Sequence, residues 1–156
     1  MQQPTKAATL WTTNRIVALV LGIILLLLGL IGFITPEENS TGVRAIFGIF
    51  DSDTVHNFVF LVLGIIGITM ALGGQSRTFN QAFGILYIII GILGLFSVFY
   101  FPAGTYGTDQ GLLFGIMHDN AGDHVLELVT GIVAAVVGFT STGDTTRTTP
   151  KFEDRV

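Results

Sequence analysis

The chain has 156 residues, of which 50% are hydrophobic and only 12% charged, with a mean hydropathy of +0.71 and a formal charge of -4. Soluble domains carry about twice that share of charge, and the apolar residues here are gathered into long runs, so the chain reads as a membrane protein. The absence of cysteine excludes disulfides, zinc fingers and thiol catalysis, and no basic run is long enough to hold nucleic acid.

In chain order, residues 1–14 form a polar tail in which Trp11 is suited to anchor at a membrane interface. A bilayer core needs roughly 20 apolar residues in a helix. The first such span is Ile16 to Ile34, without a charge; Thr35-Pro36-Glu37-Glu38 after it offers no small-residue cleavage site, so a retained helix is expected rather than a signal peptide. An acidic loop with Glu37, Glu38, Asp51 and Asp53 follows, in which Asn39-Ser40-Thr41 fits a glycosylation acceptor, a short pattern that arises easily by chance. The second span is His56 to Leu72 and the third Ala82 to Phe101. Another acidic loop, with Asp109, Asp119 and Asp123, leads into the fourth span, His124 to Phe139, which holds the single charge Glu127. Residues 141–156 are rich in Thr and mixed charge and are expected to be a disordered tail. The expected fold is thus all-α, a polytopic membrane protein with a four-helix domain over residues 15–140. Continuous runs of this kind are helices and not alternating barrel strands.

Lys6, Arg15, Arg77, Arg147, Lys151 and Arg155 fall on one side of this topology and Arg44 alone on the other. The bias places both termini in the cytoplasm and the two acidic loops outside, in a cell membrane.

The chain resembles itself. At an offset of 67 residues Phe47-Gly48-Ile49 falls on Phe114-Gly115-Ile116, Leu61-Val62 on Leu128-Val129 and Gly64-Ile65 on Gly131-Ile132. At an offset of 62, Gly22, Gly29 and Gly32 fall on Gly84, Gly91 and Gly94. Two tandem helix-loop-helix repeats, both pointing the same way through the bilayer, account for this. Lipid gives no hydrophobic drive between helices, so stripes of small residues must let backbones approach. Gly64 and Gly67 head such a stripe in span two, and Gly131 and Gly138 lie on one in span four. In the loops, Arg44 to Phe50 and Gly111 to Met117 read as short apolar segments lying at the outer interface.

One stretch stands out: Asp123, His124 and Glu127 at the head of an apolar run. Glu127 precedes Gly131 by four residues, so it shares the packing face and points into the bundle. Under the 67-residue offset the three fall on His56, Asn57 and Phe60. The repeat therefore predicts that His56 and Asn57 meet Asp123, His124 and Glu127 near the outer surface. In VHNFVFLVLG and GDHVLELVTG the chain resembles the family catalogued as domain of unknown function 4383, small four-helix prokaryotic membrane proteins. Its second helix opens with a pattern like H-N-x-x-H-x-x-x-G and its fourth with D-N-x-L-H. His56, Asn57, Gly64, Asp123, Leu126 and Gly131 match; Phe60 and Glu127 replace histidines and His124 replaces an asparagine. The resemblance implies a four-helix protein of a prokaryotic inner membrane and no particular activity.

Ionisable groups in a span are costly and suggest function, yet near the interface they can simply bond one another and hold the repeats in register. Two readings stay open. One is a non-enzymatic structural or partner-binding protein, whose partners are the bilayer, another membrane protein or a second copy. The other is a metal, proton or small-ligand site for transport or sensing at the cluster. No cofactor and no catalytic residue is expected, since no serine except Ser97 lies in a span.

Overall fold

In the computed structural model the described residues are 8–9, 11–38, 42–101, 111–142 and 146–147. Four helices dominate: α1 (Thr13–Ile34), α2 (Thr54–Gly73), α3 (Ser76–Leu93) and α4 (Ala121–Thr140). All four are long and apolar enough to cross a membrane, and the fold is the all-α polytopic bundle that the apolar runs imply. Three of the four starts have a side-chain cap. Thr12 caps α1 and Asp53 caps α2, each accepting the backbone N–H three residues on. Asn120 and Asp123 form a reciprocal capping box at α4. Gly74, at φ 79°, ends α2 in the left-handed conformation and lets the chain reverse into α3 within two residues.

The helices pack chiefly in sequential pairs, α1 with α2 and α3 with α4. Gly22, Gly29, Gly32, Gly64, Gly67, Gly84, Gly91, Gly94, Gly131 and Gly138 all lie at helix contacts, and a Cβ on any of them would come under 3.0 Å from an atom of a neighbouring helix. Glycine is needed for this approach, as expected where van der Waals contact is the main attraction. Gly22 and Gly64 meet between α1 and α2, while Gly84 packs on the Ala135 backbone between α3 and α4. Leu21, Leu25, Phe60, Phe79, Phe83 and Tyr87 fill the remaining core. Outward positions such as Val20, Leu27, Val62, Ile65, Ile89 and Val129 are exposed and apolar, the distribution that a lipid surround requires.

Three expectations are corrected. The third helix runs from Ser76 to Leu93 and not over Ala82 to Phe101. Hydropathy alone follows the apolar letters to Phe101. The chain instead leaves the helix at Gly94, passes through a 3-10 turn (Ser97–Phe99) and enters strand β4 (Tyr100–Phe101). At its other end the helix gains Ser76 and Asn80, polar residues that are buried against neighbouring helices.

The apolar loop segments are β-hairpins. Strands β2 (Arg44–Ile46) and β3 (Phe50–Ser52) pair around Phe47-Gly48, and β5 (Leu112–Leu113) and β6 (Met117–His118) around Phe114-Gly115; β4 adds to β5. All four turn residues have positive φ, the type I′ geometry that matches strand twist.

The tails are not wholly without structure, since β1 (Ala8–Thr9) pairs antiparallel with β7 (Thr146–Arg147). The Asn39-Ser40-Thr41 pattern lies outside the described residues.

Candidate functional site

Buried polar side chains gather at the two ends of the bundle. At the end carrying the termini, the Arg15 guanidinium donates to the carbonyls of Ala71 (2.8 Å) and Leu72 (2.9 Å) at the foot of α2. Arg77 donates to Gly138 O (3.1 Å) at the foot of α4. Both satisfy carbonyls that a helix C-terminus leaves open, with a cation where the dipole favours one. Asn80 Nδ2 donates to Asn14 O and Oδ1, both at 2.9 Å, and Asn14 donates in turn to Thr142 O (2.8 Å).

The hairpin end holds the residues singled out from the sequence. His56, Asn57, Asp123, His124 and Glu127 are all buried, but they do not form one cluster. His56 donates from Nδ1 to the His118 carbonyl (2.8 Å) and packs its ring on Phe60, centroids 4.3 Å apart. No bond joins His56 to Glu127 among the described residues. Asp123 Oδ2 accepts from the backbone N–H of Asp51 and of Asn120, each at 3.0 Å. The contacts are reciprocal: the head of α2 is tied to β6, and the head of α4 to β3. Asp53 accepts the His118 N–H (2.8 Å), and Asn120 Nδ2 donates to Ile49 O (3.1 Å), so the two N-cap residues double these ties. Asn57 and His124 each lie where a Cβ on a facing glycine would be, on Gly32 and Gly94 respectively.

His124 and Glu127 do come together, one helical turn apart, with Nδ1 to Oε2 at 3.5 Å. The third member of that group is Asp119, between β6 and α4, whose Oδ2 lies 3.5 Å from the same Nδ1. One donor atom from each of the three lies within 4.8 Å of the others. Asp119 is 0% exposed, and neither of its carboxylate oxygens has a hydrogen-bond partner among the described residues. Burial, and after it the charge of Glu127, raises its carboxyl well above the ordinary range, against the opposing pull of the Asp123 carboxyl and the Asn120 N–H close by. On the far side of the imidazole, Tyr100 Oη lies 2.7 Å from His124 Nε2 and donates to Gly94 O (3.0 Å). Burial also raises the Tyr100 phenol, so this hydroxyl stays protonated.

A family model described as a domain of unknown function (DUF4383) matches residues 15–140. The chain belongs to that family. No curated protein and no solved structure matches it. In this DUF4383 member His124 and Glu127 of α4 are the residues that face Asp119.

Sequence reasoning passed over Asp119 and Tyr100. Asp119 reads as one more acid in an acidic loop, and Tyr100 as part of a span. The Asn120-Ala121-Gly122-Asp123 capping box was a usable signal, because it starts α4 just after Asp119 and so sets that residue on the helix head.

Proposed function

We propose that this DUF4383 protein is a non-catalytic, structural component of a prokaryotic cell membrane, with both termini cytoplasmic. It is built from a tandem duplication whose halves lock into one rigid bundle. The observation that carries the reading is the reciprocal tie at the hairpin end: His56 to the His118 carbonyl, and Asp123 to the Asp51 N–H. Under the 67-residue offset His56 corresponds to Asp123, and Asp51 to His118, so each half holds the other through equivalent positions. The duplication is further supported by equivalent contacts elsewhere. Arg15 on Ala71 and Arg77 on Gly138 occupy corresponding places, as do Asn57 on Gly32 and His124 on Gly94.

Transport by alternating access needs one repeat to rock against the other. Here such rocking would break ties at the hairpin end and, at the opposite end, the Asn14–Asn80 contacts between α1 and α3. Each buried polar group left open costs about 1–3 kcal/mol. A static bundle is the better reading. The test is reconstitution into vesicles preloaded with a pH-sensitive or metal-sensitive dye. Under an imposed gradient, the protein-containing vesicles are expected to leak no faster than protein-free ones. A protein-dependent flux of protons or divalent cations would overturn the structural reading.

A further inference from the structure

We propose that Asp119, His124 and Glu127 form a binding site for one divalent transition-metal ion, with Tyr100 holding the imidazole in the ligating tautomer. This goes beyond the structural role, because none of the three side chains takes part in the ties that hold the halves together.

The argument starts at the imidazole. A tyrosine hydroxyl has one proton, and Tyr100 gives its proton to the Gly94 carbonyl. At 2.7 Å from His124 Nε2 it must therefore accept, so Nε2 carries the ring proton and Nδ1 presents a lone pair. That lone pair faces Asp119 Oδ2 and Glu127 Oε2, each at 3.5 Å. Three potential ligand atoms thus converge with no N–H or hydroxyl of another residue between them. The separation is too long for a carboxyl proton to bridge, since O–H bonds to such acceptors are about 2.5–3.0 Å. It suits a shared ion: two ligand atoms about 2.1 Å from one metal at a tetrahedral angle are about 3.4 Å apart.

Charge points the same way. Asp119, Asp123 and Glu127 are three buried carboxyl groups. Asp123 has two well-aligned backbone donors on one oxygen, whereas Asp119 has only the looser approach of the Asn120 N–H and of the Asp123 carboxyl. A buried carboxylate without a partner is costly, and a cation removes that cost. The donor set of one imidazole and two carboxylates selects the ion class. Imidazole favours zinc, iron, nickel and copper over calcium and magnesium, and no thiolate is present to favour the softest ions. Donation of the second imidazole N–H to a fixed oxygen is the usual support behind a metal-bound histidine.

The test uses the untagged full-length protein in detergent, stripped with a chelator and dialysed. Calorimetric titration with Zn²⁺ is expected to give one ion per chain, unaffected by a large excess of Mg²⁺. Asp119→Asn and Glu127→Gln should each weaken binding by more than about a hundredfold, and Tyr100→Phe by about tenfold to a hundredfold. Glu37→Gln, at an exposed acid, should leave binding unchanged. Co²⁺ in the wild-type protein gives a reading that does not depend on any variant folding: a visible absorption band of low symmetry, lost on adding Zn²⁺. The proposal is overturned if stripped wild-type protein takes up neither Zn²⁺ nor Co²⁺. It is equally overturned if folded Asp119→Asn and Glu127→Gln bind as the wild type does.

Discussion

Asp123 shows how much one side chain can carry in a bundle with few polar groups. Its Oδ2 takes the Asn120 N–H, which begins α4, and the Asp51 N–H, which belongs to the other hairpin. Asp123→Leu strands both donors in a buried place. It should lower stability by about 2–6 kcal/mol, at about 1–3 kcal/mol for each open group. Asp123→Asn keeps a carbonyl acceptor and should cost less than half as much. Chemical unfolding in detergent, followed by circular dichroism, separates the two; equal losses would mean that Asp123 acts through its charge and not as an acceptor. His56, which the 67-residue offset sets against Asp123, works with opposite polarity, donating where Asp123 accepts. Under the proposed duplication, that inversion lets two different residue types serve at paired positions. Each meets whichever backbone group the opposite hairpin presents.

Among the helices, small residues set the spacing and arginines close the ends. A Cβ on Gly84 would meet the backbone of Ala135, whereas a Cβ on Gly73, the last residue of α2, would meet nothing within 4 Å. Gly84→Ala should therefore destabilise by about 1–3 kcal/mol through overpacking. Gly73→Ala should be neutral or stabilise by up to about 1 kcal/mol, since alanine is the better helix former. Thermal unfolding of the two variants side by side checks this, and equal midpoints would refute the packing stripe. The arginines make a second contrast. Arg15 is buried with two backbone acceptors, whereas Arg77 is exposed. Arg15→Met should cost about 1–3 kcal/mol and Arg77→Met less than 1 kcal/mol, because water can replace an exposed donor. A larger loss at Arg77 in the same unfolding assay would reverse the assignment of which clasp holds the bundle.

For the molecule as a whole, charge asymmetry is the guide to direction. Lys and Arg cluster at the end where the termini enter and leave, and Arg44 stands alone at the hairpin end. An alkaline phosphatase fusion, active only outside the cytoplasm, is expected to be silent at the C-terminus and active when inserted within residues 102–110. The opposite pattern would turn the protein over and place the Asp119 site on the cytoplasmic side. The hairpins bear on the same end. Their tips carry exposed Phe47, Ile49, Phe114 and Ile116, so among the described residues that end presents apolar hairpin turns.

Features that depend on solvent and on local spacing are legible in the chain before it folds. Four apolar runs specify four helices, because only a helix satisfies its own backbone in lipid. The glycines mark the packing faces for a related reason: in lipid a missing side chain gains nothing except close approach. Glu127 could be placed inside the bundle from its four-residue distance to Gly131. Tertiary structure decided where the apolar stretch beyond Gly94 stops being helix. There Tyr100 pairs with Leu113 in a strand and returns its hydroxyl to the Gly94 carbonyl, a contact that no hydropathy window contains. It also decided the partners of the polar residues. His56 and Asp123 reach backbone groups of the opposite hairpin, and His124 finds Asp119 and Tyr100. A backbone N–H or C=O has the same chemistry at every residue, so only the folded path shows which of them a buried side chain will meet.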